Sequence, residues 1–230
     1  MGAELQNTAM VEEWVNYVRL LDNQKMGQGP DVWMWSSGDQ KSEYKVCVLR
    51  RELDQIPVIP KTKDLLWVIW IQRKINCFLW RVVLDRIPTK EALIKRKVSL
   101  SSNICVMCNR GIETADHLMI TCDFAQQIWI AVSTWIKISL PRYLLSAIGL
   151  LEFIGGLRLD GNKKKAVYSI VADVFWSICL ARNTAIFNKK GIHLSHLVAD
   201  IKAVSFLWIN SRAAHLDLKW EQWRGFNNRW

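Results

Sequence analysis

Hydrophobic positions recur every three or four residues along most of this chain, and alternate in only one short stretch. In residues 4–22, Val11, Trp14, Val15 and Val18 fall at helical spacing and predict an amphipathic helix. "KMGQGPD" breaks it, with Gly27, Gly29 and Pro30 as a linker. In "DVWMWSSGDQKSEYKVCV", Trp33 and Trp35 alternate on one side and Tyr44 and Val46 on the other, which predicts two short strands around a polar turn. A helix through "VLRRELDQ" follows, stopped by "IPVIP". From Asp64 the period is helical again. In "IQRKINCFLWRVV", Ile71, Ile75, Phe78, Leu79 and Val82 form one stripe of a helical wheel. Arg73, Lys74 and Arg81 lie on the other face, beside Trp80 and Cys77. "DRIPT" ends this helix. Thr89 is then the expected N-cap of "KEALIKRK", with Glu91 in its first turn and Lys95, Arg96 and Lys97 in its last, as the helix dipole favours. Three more helices are expected: "FAQQIWIAVSTWIKI", ended by Pro141, then "KKKAVYSIVADVFWSICLARNTAIF" and "HLSHLVADIKAVSFLWINSR". The pattern predicts a mainly α protein with one small N-terminal β-hairpin.

Composition narrows the picture. The 230 residues suffice for a buried core, and half of them are hydrophobic, which excludes disorder over most of the length. Thirteen tryptophans are expected to serve mostly as core residues, Trp80 among them. A net charge of +10 favours nucleic acid or an anionic surface as partner. The longest apolar run noted, "YLLSAIGLLEFIGGL", is too short to span a bilayer and contains Glu152. No signal peptide or myristoylation pattern is visible at the start, so an intracellular, soluble protein without a membrane is expected, in nucleus or cytoplasm.

Of six cysteines, three cluster with a histidine: Cys105, Cys108, His117 and Cys122 give C-x2-C-x8-H-x4-C. A C-x-x-C pair turns two thiolates toward one tetrahedral Zn²⁺, and the second half supplies two more ligands. Residues five apart on an unbroken α-helix diverge by about 140°. A break is therefore expected near Ile120–Thr121, with His117 on a short helix, Thr114 capping it, and Asp116 or a backbone carbonyl orienting the imidazole. Four protein ligands leave no open position for water, which makes the zinc structural. A deaminase needs a glutamate two residues after its histidine, and Met119 stands there. His193 and His196 lack a third ligand at workable spacing and are read as solvated or capping. Cys47, Cys77 and Cys179 are read as small core hydrophobes.

"INCFLWRVVLDRIPTKEALIKR" and "CVMCNRGIETADHLMITCDFAQQIW" resemble the reverse transcriptase zinc-binding domain at the C-terminal end of plant LINE-type (non-LTR) retrotransposon polyproteins. The likeness runs through Phe78, Trp80, Arg81, Arg86, Pro88, Thr89, Cys105, Cys108, Glu113, Thr114, His117, Leu118, Cys122, Ile128 and Trp129. It extends to "DVWMWSSGDQKSEYKV" and "WSICLARNTAIF", with departures at Glu43, Gln72 and Cys179. The resemblance implies an accessory domain of an RNA-directed DNA polymerase. The paired aspartates of a polymerase are absent from this sequence. Nor is there a Gly-rich phosphate loop, so no enzymatic activity is expected. The expected organisation is an N-terminal helix and linker (1–30), a Trp hairpin and helix (31–60), a zinc-binding domain (61–139) and a C-terminal helical region (140–230).

Two functions follow. One is a zinc-stabilised module binding RNA or DNA with low specificity. Residues 61–97 hold ten Lys/Arg against Asp64, Asp85 and Glu91. Arg73, Lys74, Trp80, Arg81, Arg86, Lys90, Lys95, Arg96 and Lys97 are the candidate contacts, with Trp80 stacking on a base if exposed. The other is a scaffold that docks retroelement polymerase domains through apolar surface at residues 4–22 or the Trp220–Trp230 tail.

Overall fold

The computed structural model of the chain describes residues 2–22, 29–30, 32–37, 40–55, 67–141, 143–188, 191 and 193–227. They fall into two compact units, Met1–Pro60 and Lys61–Trp230.

The first unit holds helix α1 (Gly2–Asp22), strands β1 (Met34–Ser37) and β2 (Gln40–Glu43), and helix α2 (Val46–Gln55). The strands pair antiparallel, with Met34 opposite Glu43 and Ser37 opposite Gln40. The Tyr44 N–H donates to the Trp33 carbonyl at 2.7 Å, which carries the pairing one step beyond the strands. Val46 opens α2 instead of continuing the hairpin, because the N–H groups of Val48 and Leu49 already turn back to the Lys45 carbonyl. Most of the expected linker and all of "IPVIP" lie outside the described residues.

The second unit is built around a long helix, α7 (Gly161–Asn183), continued by a π-helical turn to Asn188. Ten consecutive residues, Ala166–Phe175, are buried. A helix apolar on every side belongs inside a core, and α3 (Arg73–Val83), α5 (Asp123–Ile136), α6 (Ala147–Gly156) and α8 (Leu194–Arg212) pack around this one. By length and composition alone Gly161–Asn188, a longer apolar segment than the run at 143–157, would cross a bilayer. Its burial between neighbouring helices is that of a core helix. The apolar run at 143–157, noted only for its shortness, forms α6, whose N-cap Ser146 accepts from the Gly149 N–H.

Three boundaries differ from the sequence period, and the tail adds a short helix. Helix α3 begins at Arg73, not Asp64, because Trp67–Gln72 form a turn: Ile71 N–H bonds the Val68 carbonyl, and the buried Asn76 side chain donates to the same oxygen at 3.0 Å. Its stripe of Ile75, Phe78, Leu79 and Val82 is buried, with Ile71 buried just ahead of it. Helix α4 (Lys90–Lys95) ends before Lys97, which has φ 64°. Helix α5 ends at Ile136 on a left-handed Lys137 (φ 57°), not at Pro141. The tail folds into α9 (Trp220–Arg224), whose Trp223 packs edge-on to Trp135 and donates its indole N–H to the Lys202 carbonyl.

Two groups of side chains depart from their expected burial. Trp70, Trp129, Trp135, Trp208 and Trp223 are core residues, but Trp14, Trp33, Trp67 and Trp80 are exposed. Trp80 sits on the polar side of α3, opposite the stripe, and is 40% exposed. Cys47 and Cys77 are exposed for the same reason of helix face, and Cys179 is half-buried. All six cysteines are free thiols.

Thr89 caps α4 as expected, its hydroxyl accepting the Ala92 N–H at 3.2 Å. Because Thr89 is buried, no water replaces that acceptor. Thr89→Ala is expected to cost about 1 kcal/mol in urea unfolding of the zinc-loaded protein. An unchanged midpoint would show that the cap carries no stability.

Candidate metal centre

Two short segments converge on one point. The first is the turn from Asn103 to Glu113. Its ends pair through Glu113 N–H to the Asn103 carbonyl and Cys105 N–H to the Gly111 carbonyl, both at 2.8–2.9 Å. Within it the Asn109 N–H closes on the Cys105 carbonyl, and Asn109 takes a left-handed φ of 55°. This tight turn brings Cys105 and Cys108 to the same side. The second segment is a π-helical turn, His117–Thr121.

The π turn resolves the spacing problem differently from the expected break at Ile120–Thr121. The Cys122 N–H bonds the His117 carbonyl at 2.7 Å, an i→i+5 bond. Such a bond sets the fifth residue over the first, where an α-helix would rotate it away. The chain becomes extended only at Cys122 (ψ 134°). The Trp129 indole donates to the Met119 carbonyl at 2.7 Å, satisfying an oxygen inside the π turn.

The four donor atoms all lie within 4.8 Å of one another. Cys105 Sγ and Cys122 Sγ are 3.9 Å apart, and Cys108 Sγ and His117 Nε2 are 3.3 Å apart. A tetrahedral Zn²⁺ with ordinary bond lengths asks for edges of about 3.8 Å between sulfurs and about 3.5 Å between sulfur and nitrogen. Those two edges are therefore close to the lengths of a zinc tetrahedron, and the four donors are gathered tightly enough to share one ion. All four positions are filled by protein, so the ion supplies cross-linking and no site for substrate.

The protonation of the sulfurs points the same way. Cys105 is pulled down to about 5, chiefly by its hydrogen bond from Cys122, while that partnership and burial push Cys122 up. Without a cation, two adjacent buried sulfurs give up the first proton readily and retain the second. A divalent metal is what allows both to ionise.

The imidazole is held by groups the sequence reading assigned otherwise. Thr114 accepts the His117 backbone N–H at 3.0 Å, as expected of a cap. Asp116, one of the two groups expected to orient the ring, instead accepts the Ala147 N–H at the start of α6. Thr121 takes that role, with its hydroxyl 3.4 Å from His117 Nδ1. Gly111 lies flat beneath the ring: a Cβ there would meet His117 Cε1 at 2.7 Å. The signal for Gly111 in the sequence is a lone glycine between the two ligand pairs.

A second connection escaped the sequence altogether. Glu113, fully buried, accepts from Arg182 of α7 at 2.6 Å and from the Lys90 N–H at the start of α4 at 3.0 Å. Arg182 also donates to the Pro88 carbonyl at 3.3 Å. One carboxylate thus ties the metal loop, α4 and α7 together.

The candidate nucleic-acid residues lie on α3, α4 and the loops after them. Arg73, Lys74, Trp80, Arg81, Arg86, Lys95, Arg96 and Lys97 are exposed. Lys90 is half-buried and donates its amine to the Ile104 carbonyl at 2.7 Å. Lys95 pairs with Glu91 at 2.9 Å, which raises its pKa, and Arg81 donates to the Arg86 carbonyl. Lys74 stands over the Trp176 ring. His193 and His196 face each other with ring centroids 5.4 Å apart and join no metal-binding group among the described residues.

Comparison with known proteins agrees with this geometry. The family described as "zinc-binding in reverse transcriptase" matches residues 40–129. A "Putative ribonuclease H protein" of Arabidopsis thaliana is 31% identical over 105 residues, a match covering 44% of this chain and 16% of that protein. No solved structure matches the chain. On motif spacing, donor geometry and the family match together, residues 40–129 are similar to the zinc-binding region found in reverse transcriptases, over a stretch shorter than half of the chain.

Proposed function

We propose that the chain is a non-catalytic, zinc-stabilised module that binds RNA or DNA with little sequence preference. The observation that carries this reading is the two-faced α3. Its apolar stripe is buried while Arg73, Lys74 and Arg81 are exposed on the other face together with Trp80. Arg86 and Lys95–Lys97 continue the charge into the following segments. Cations of this kind contact phosphates, and an exposed indole offers a face on which any base stacks. Arg73, Arg96 and Lys97 are the strongest contacts; Lys90 is the weakest, because its amine is already spent on Ile104. A closed metal site and the absence of paired aspartates support a module without chemistry of its own.

Electrophoretic shift and fluorescence titration against single-stranded RNA and duplex DNA test the proposal. With about five phosphate contacts, affinity should fall roughly a hundredfold for single-stranded RNA and about five-hundredfold for duplex DNA between 50 and 200 mM salt. Arg73→Ala and Arg96→Ala should each weaken binding equally for all sequences. Zinc-loaded protein that binds neither nucleic acid at low salt would transfer support to the second reading, a scaffold docking retroelement polymerase domains. That reading draws on α1, where Met10, Val11, Trp14 and Leu21 are each more than half exposed. The tail gives it less, since Trp223 is buried and Trp220 half-buried.

A further inference from the structure

A second polar feature lies in the second unit and has no part in the metal centre. Helices α7 and α8, with the start of α3, enclose a cleft of about 430 Å³. Gln72, Lys74, Asp173, Ser177, Thr184 and Asp200 supply its polar lining, and Trp176 and Trp208 are among its apolar walls. Asp173 is 1% exposed, and its Oδ2 has no hydrogen-bond partner. Among the described residues it forms no ion pair. A buried carboxyl oxygen without a donor is costly, and native proteins retain few of them. The Ser177 hydroxyl and the Ser205 backbone reach the carboxyl, but Oδ2 is left without a donor.

The walls select what that donor is. The Lys74 ammonium already stands 5.5 Å from the Trp176 ring centroid at this cleft, so the wall accepts a cation on its indole face. Two indoles and two carboxylates suit a planar, delocalised cation better than a compact ammonium or a hydrated metal ion. We propose that the cleft between α7 and α8 receives one arginine side chain of a partner polypeptide, its guanidinium donating to Asp173 and its stem lying against the tryptophans. The charge complementarity is local: it places an acidic receptor on a protein whose net charge is +10.

Proton linkage gives the site a signature. Burial pushes Asp173 up to about 8; the Ser177 hydroxyl offsets part of this, the charge of Asp200 adds to it, and the Ser205 backbone offsets a little. The charged groups facing it are Asp200 from α8 and Lys74 from α3. At neutral pH the free carboxyl is protonated, and an incoming guanidinium ionises it, releasing a proton. Affinity therefore rises with pH, by up to about tenfold per unit below 8, and levels off above it.

The test titrates the zinc-loaded full chain with acetyl-Gly-Arg-Gly-amide, and with the same peptide carrying lysine or citrulline. The indole N–H signals of Trp176 and Trp208 report binding by NMR. The arginine peptide should bind at least tenfold tighter than the neutral citrulline peptide and several-fold tighter than the lysine peptide. Asp173→Asn, matched in shape to the protonated acid, should lose at least tenfold and abolish the pH dependence. Asp200→Asn, at an exposed position, should lose several-fold and serves if the first variant does not fold. Equal binding of arginine and citrulline, no indole shift up to the solubility limit, or unchanged affinity in the folded variants would overturn the proposal.

Discussion

Cys108→Ser is expected to lose the bound zinc and to unfold the region around residues 100–130. A structural zinc contributes ~10–16 kcal/mol to small domains that depend on it, more than the ~5–15 kcal/mol by which an ordinary domain is stable. Serine cannot supply a thiolate, and the remaining Cys105, Cys122 and His117 leave a corner open to water. The loss should be regional. The turn at 103–113 is held by backbone bonds, a few side-chain ties to α4, α5 and α7, and the metal, whereas α7 and α8 share a continuous apolar core. The π turn lies between these extremes: Leu118, Met119 and Ile120 are buried, but its unusual pitch serves the ligand pair. Metal content by mass spectrometry and hydrogen exchange along the chain measure both halves of the expectation. One zinc per chain in the variant, with native protection at residues 103–122, would refute the ligand set.

Glu113→Gln should cost about 3–5 kcal/mol, the penalty for leaving a buried guanidinium without its counter-charge. Arg182 is 7% exposed and has no other carboxylate in reach among the described residues. The substitution also weakens the acceptor at the start of α4, where the Lys90 N–H ends. The pair itself is not the stabiliser. Glu113 Oε2 and Arg182 Nε have no partners, so desolvation is only partly repaid. Arg182→Met alone should therefore be costly too, and Glu113→Gln with Arg182→Met should recover much of the loss. Urea unfolding of the four proteins closes the cycle. Additive costs would mean that the two side chains do not interact.

The metal ligands were legible because thiolate chemistry restricts spacing: C-x-x-C has few other uses in a chain with reduced cysteines. The buried stripe of α3 and the Thr89 cap were legible because both are local. The π turn was not, since an i→i+5 bond leaves no periodic trace in five residues. The Glu113–Arg182 pair was present as two separate motif residues, 69 positions apart, and nothing in either segment names the other. Trp80 misled for a different reason. Its bulk argues for burial, but its place on the α3 wheel, beside Arg73, Lys74 and Arg81, argued for solvent, and helix geometry prevailed. Helix α6 was obscured by Gly155 and Gly156 at its end, since glycine weakens a helical pattern.

The four donors are not equivalent toward solvent. Cys105 and Cys122 are sealed in the core, whereas Cys108 and His117 are only half-buried. The metal therefore has a front and a back. A chelator, an oxidant or a competing metal arrives at Cys108 and His117 first, and ligand exchange proceeds through them while the two rear sulfurs still hold the ion. All four residues would set how tightly zinc is kept, whereas the more exposed front pair would set how fast it is traded.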